Sequence, residues 1–161
     1  MAIRNILQDG DPMLRKKSRE VTVFNERLHQ LLDDMAETMA SVSGAGLAAV
    51  QVGVLRRVAI VNAGDELIEL VNPVMIDTSE EIQSGIEGCL SLPGWYGTVE
   101  RPLRVTVQAQ DRHGNLIEVV GEEFKARAIC HELDHLDGVM FHDHATDLCE
   151  ILDDEDADEE D

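Results

Sequence analysis

The chain has 161 residues, with 13 Lys and Arg against 33 Asp and Glu and a net charge of −20, and its length fits one domain around a single core. Hydrophobic residues make up 43% of it but aromatics only 3%, so that core has to be built from Val, Leu, Ile, Ala and Met. So negative a molecule is repelled by nucleic-acid phosphates and anionic lipid surfaces, which sets aside polyanion and membrane-surface binders.

Between Asn25 and Ala40, Leu28, Leu31, Leu32, Met35 and Met39 recur at the spacing of one helical face, which predicts an amphipathic helix capped by Asn25 and ended by Ser41-Val42-Ser43-Gly44. Arg57 to Asn62 and Leu67 to Asn72 are apolar and β-branched, joined by the turn residues Ala63-Gly64-Asp65-Glu66. A second hairpin is expected from Arg104 to Gln110 and Leu116 to Val120, because Val105, Val107 and Ala109 alternate before the turn at 111–115. A second helix is expected from about Glu122 to Asp137, with acids in its first turn and Gly138 as its stop. The fold class is α+β, antiparallel sheets around a C-terminal helix with an amphipathic helix near the N-terminus. Residues 1–148 form the expected single domain, and 149–161 an acidic, solvated tail. Eight carboxylates lie within 153–161, and self-repulsion without apolar anchors keeps such a segment out of a core.

Three cysteines, Cys89, Cys130 and Cys149, are an odd number at wide spacing, unlike a secreted disulfide scaffold. With no signal-like apolar run and no stretch of about 18 consecutive apolar residues, a reducing, cytoplasmic setting is expected.

The second helix carries His131-Glu132-Leu133-Asp134-His135. Four residues are close to one helical turn, so both imidazoles fall on one face and can clasp one cation, with Glu132 beside them to reach a water. Phe124, Ala128, His131 and His135 continue one stripe expected to face inward, and buried imidazoles without a ligand or hydrogen bond would cost roughly 1–3 kcal/mol per polar group. A catalytic site needs a third ligand and an open position. Past Gly138 the residue at the third-histidine position of one metalloprotease pattern is Phe141, and Glu150 and Glu155 sit at or in the acidic tail. Cys89 is the remaining candidate, although a lone cysteine is more often a small buried hydrophobe.

Three segments together resemble the bacterial peptide deformylases: Gly44-Ala45-Gly46-Leu47-Ala48-Ala49-Val50-Gln51, Glu87-Gly88-Cys89-Leu90-Ser91, and His131 to His135. The resemblance implies a hydrolase that removes the formyl group from the N-terminal formyl-methionine of nascent polypeptides. It implies Cys89, His131 and His135 as ligands of one divalent ion, Fe²⁺ first, with Zn²⁺, Ni²⁺ or Co²⁺ as alternatives, and a metal-bound water as nucleophile. Glu132 is then the general base and acid, and the Gln51 amide and the Leu90 backbone N–H stabilise the oxyanion. Gly44, Ala45 and Gly46 are expected to lie along an extended peptide, and Phe124, Ala128, Ala45 and Leu90 to enclose the methionine side chain. Two departures stand out. Cys130 occupies the position where the family commonly has Gln, pointing about 100° away from His131, and the chain ends in carboxylates where some relatives have a basic, ribosome-docking helix. The expected partners are formylmethionyl nascent chains, and the ribosome only by a route other than such a helix. Rival readings are an endopeptidase and a non-catalytic metal-binding relative.

Overall fold

A computed structural model of the chain describes residues 2–64 and 66–151. Helix α1 spans Glu26–Ser41, and Asn25 caps it through a side-chain oxygen that accepts the Leu28 N–H at 3.2 Å. The left-handed residue that ends it is Ser43, at φ 53°, while the Gly44 N–H closes the last turn on Met39 O at 3.0 Å.

Eight strands follow: β1 Gly46–Ala48, β2 Val58–Ala63, β3 Glu66–Thr78, β4 Ile82–Cys89, β5 Leu92–Pro102, β6 Arg104–Gln110, β7 Leu116–Glu122 and, at the end, β8 Thr146–Glu150. Helix α2, Glu123–Leu136, lies between β7 and β8 in the chain. Pairing within both sheets is antiparallel, in a five-stranded sheet ordered β1-β2-β3-β6-β7 and a three-stranded sheet ordered β4-β5-β8. Both predicted hairpins form, from Val58↔Val71 to Ala63↔Glu66 and from Arg104↔Glu122 to Gln110↔Leu116.

Strand β2 is apolar from Val58 to Val61 because both of its faces are covered there. Val58 and Ile60 pack against Leu31, Leu32 and Met35 of α1, whereas Val61 faces Ala126 and Ile129 of α2. Period-two alternation delivers successive side chains to opposite layers. Burying each Leu or Met removes apolar surface worth about 1.5–3 kcal/mol, and Leu32 and Met35 are fully enclosed. Helix α2 also touches β5 of the second sheet, so it stands between the two sheets. It stops at Gly138, where φ is 78° and a Cβ would sit 2.5 Å from Arg15 O; no other residue fits there without moving the backbone.

Three features differ from the sequence reading. The β4–β5 hairpin and the short strand β1 were not anticipated. Strand β8 takes in Cys149 and Glu150, which were assigned to the tail, through the pairs Tyr96↔Cys149 and Trp95↔Glu150; the acidic run 153–161 lies outside the described residues. Phe124 does not face inward with Ala128, His131 and His135: it is 58% exposed, because it starts the helix where α2 emerges from between the sheets. Among the described residues, no helix is long and apolar enough to cross a membrane.

Candidate metal centre

The donor atoms of Cys89, His131 and His135 all lie within 4.8 Å of one another. Cys89 closes β4, and the two histidines sit one turn apart on α2, so sheet and helix meet at this point. His135 Nε2 faces Cys89 Sγ at 3.3 Å and His131 Nε2 at 3.2 Å. Two imidazole nitrogens and a sulfur pointed at one another leave lone pairs converging on a common centre, an arrangement that a cation relieves.

The tautomer of His131 follows from its other nitrogen. Nδ1 lies 2.9 Å from Glu87 Oε1, and an ionised carboxylate only accepts, so Nδ1 carries the proton and Nε2 is free to coordinate. Glu87 is in turn held at both oxygens by Arg101, at 2.8 and 2.8 Å, and by Arg127 Nη1 at 2.7 Å; Arg101 also reaches Asp134 at 2.7 Å. Burial alone would raise the Glu87 carboxyl, but Arg101 and His131 outweigh it and bring it down to about 2. Burial, and after it the neighbouring His131, hold His135 well below the ordinary histidine range.

Glu132 is 4% exposed and pushed up to about 7 by burial. Its Oε1 has no hydrogen-bond partner among the described residues, and neither has His135 Nδ1. Gly46 makes room for this carboxylate, since a Cβ at that position would collide with it. A buried carboxyl without a partner, poised near neutrality beside a metal-type donor set, suits proton transfer to and from water.

Gln51 sits in a short 3₁₀ turn, Ala49–Val52, after β1. Its Oε1 accepts the Ala48 N–H at 2.9 Å, and its Nε2 donates to Ser91 Oγ at 3.0 Å and lies 3.7 Å from Cys89 Sγ. Leu90 occupies the bend between β4 and β5 next to Cys89. The donor set lies on the floor of a groove of about 790 Å³, walled by Gly44, Ala45 and Gly46 on one side and by Ile86 to Leu90 on the other. Phe124 and Ala128 also line it, so every residue expected at the site borders this groove or, like His135, lies immediately beneath it. Both walls run along sheet edges, because among the described residues β1 pairs only with β2 and β4 only with β5.

Cys130 is buried on the other side of α2, facing a separate hollow with Arg101 and Asp134, and burial raises its thiol to about 11. The sequence reading named Glu87 only as part of a motif, with no role, and did not single out Arg101 or Arg127. A signal for Glu87 was present: it lies two residues before Cys89, a spacing that puts two residues on one face of a regular strand.

Comparison with known proteins adds a second line of observation. Residues 3–150 match the profile of a family described as polypeptide deformylase. A peptide deformylase of Acetivibrio thermocellus is 55% identical over 143 residues, covering 89% of this chain and 84% of that protein. One from Finegoldia magna is 50% identical over 152 residues, covering 93% and 94%. Among solved structures, a peptide deformylase from Thermotoga maritima superposes with a TM-score of 0.89 at 36% identity, over 91% of this chain and 99% of that one.

Proposed function

The chain belongs to the polypeptide deformylase family, metal-dependent enzymes that take the formyl group from nascent peptides, and from that premise we propose which residues do so here and with which ion. Cys89 Sγ and the Nε2 atoms of His131 and His135 hold one divalent cation, which we assign as Fe²⁺; a set of one sulfur and two imidazoles also suits Zn²⁺, Ni²⁺ or Co²⁺. When bound, such an ion polarises the formyl carbonyl and lowers the pKa of water at the site.

Glu132 takes a proton from the attacking water as its oxygen adds to the formyl carbon. The same carboxyl then delivers that proton to the nitrogen as the C–N bond breaks, so formate and a free methionine amine leave. The Gln51 amide and the Leu90 N–H donate to the oxygen that becomes negative in between, a contribution of about 2.7–4 kcal/mol per donor in comparable sites. The peptide extends between the edges of β1 and β4, its backbone pairing with Gly44, Ala45 and Gly46 as an added strand. Ala45, Leu90, Phe124 and Ala128 surround the methionine side chain, the half-exposed Phe124 closing over it from the rim.

The observation that carries this reading is the convergence of three donor atoms beside a partnerless buried Glu132, at the floor of a groove between two open strand edges. Anaerobic purification, metal analysis and a formate-release assay test it. A formyl-methionyl peptide should yield formate with one ion per chain while its unformylated counterpart stays intact; full occupancy without formate release would refute it.

A further inference from the structure

We propose that Ser91 is a positioning residue that aims the Gln51 amide at the oxyanion. The inference rests on Gln51 being an oxyanion donor. Ser91 is completely buried, and among the described residues its hydroxyl has one hydrogen bond, the 3.0 Å contact with Gln51 Nε2. A buried hydroxyl loses its hydration, and here the bond from Gln51 is what its oxygen gains in return.

The amide is clamped at both ends. Ala48 N–H can only donate, so the atom 2.9 Å from it is Oε1 and the nitrogen must face Ser91. A primary amide nitrogen carries two protons that diverge in the amide plane. With one of them on Ser91 Oγ, the other is turned toward Cys89 Sγ, whose 3.7 Å distance makes it a weak acceptor. That second proton is therefore available to a better acceptor arriving over the donor set. Removing the Ser91 hydroxyl leaves Oε1 anchored but lets the nitrogen end tilt toward the sulfur, and the proton loses its aim.

The placement has a simple origin in the chain. Ser91 follows Cys89 by two residues in the bend between β4 and β5, and its own N–H lies 3.5 Å from Cys89 Sγ. The turn that presents the sulfur thus also presents the hydroxyl to Gln51, in a contact buried from solvent.

A double-mutant cycle on the metal-loaded enzyme tests this, using wild type, Ser91→Ala, Gln51→Ala and the double variant, with kcat, KM, metal content and Tm recorded for each. Ser91→Ala should lower kcat about tenfold with KM within about twofold, less than the ~10²–10³ lost with an oxyanion donor itself. On the Gln51→Ala background the same change should cost less than about twofold, because the group it acts through is gone. Full activity in Gln51→Ala would overturn the donor role of Gln51. A low Gln51→Ala rate with an unchanged Ser91→Ala rate would overturn the role of Ser91 alone. Equal losses in both backgrounds, or loss of metal in Ser91→Ala, would also overturn it, by showing an effect through packing or through Cys89. If Ser91→Ala does not fold, Ser91→Thr keeps the hydroxyl and should hold kcat within about threefold of wild type; a tenfold loss in the folded Thr variant would contradict the proposal.

Discussion

Replacing Glu87 by Gln removes one negative charge from the centre of a buried network while changing the side chain's shape little. Glu87 is 5% exposed and receives Arg101 at both oxygens, Arg127 at one and His131 at the other. The amide can accept at only one end, and its NH₂ would face donors, so buried Arg127 would lose its counter-charge and Arg101 would keep only Asp134. Breaking a buried ion pair from one side costs about 3–5 kcal/mol. The carboxyl's own titration leads to a similar figure. Its pKa is about 2 in the fold against an ordinary 4.5, and at 1.36 kcal/mol per unit that is roughly 3 kcal/mol. Because the folded value is depressed, this stability is present in full above pH 4.5 and is lost as pH falls through the folded value near 2. Urea unfolding of metal-free wild type and Glu87→Gln at pH 7 should therefore differ by about 3 kcal/mol. The gap should narrow as pH is lowered from 5 toward 2. A gap below about 1 kcal/mol at pH 7, or one that widens on acidification, would refute the network's role.

Gly46→Ala should leave the fold intact but push the Glu132 carboxylate out of place, lowering kcat at least tenfold in the formate assay while metal content is retained. In the native metal-loaded protein, iodoacetamide should modify exposed Cys149 first. Cys130, buried and raised to about 11, should react only on denaturation, and intact-mass analysis distinguishes the two. Chelating the metal should expose Cys89 to the same reagent and abolish activity, with both effects reversed on reloading.

Both helices were legible in the sequence because their signals are local. Leu28 to Met39 and Ala128 to His135 repeat at the helical period, and Asn25 and Gly138 mark ends that the structure places within a residue or two. The three donors were legible as well, the histidines from their spacing and Cys89 from its motif. The β4–β5 hairpin was not. Strand β4 contains Gly85 and Gly88, and its outward residues Ile82, Ser84 and Ile86 are exposed at a sheet edge, so neither β-propensity nor a polar outer face announces it. The roles of Glu87 and Ser91 depend on which segments the hairpin brings beneath α2, a non-local pairing that no window along the chain contains. Phe124 was misread for a related reason: periodicity assigns a side to each residue, but not where along the helix the covering sheet ends.

Glu132→Gln offers the most direct test of the chemistry, because it alters the proton carrier without touching a donor atom of Cys89, His131 or His135. Metal content and formate release should be measured together on the anaerobically prepared variant and wild type. The expected result is an unchanged one ion per chain with formate release lower by about 10²–10⁴. Unchanged formate release at full metal occupancy would contradict the assignment of Glu132 and, with it, the proposed chemistry of the groove.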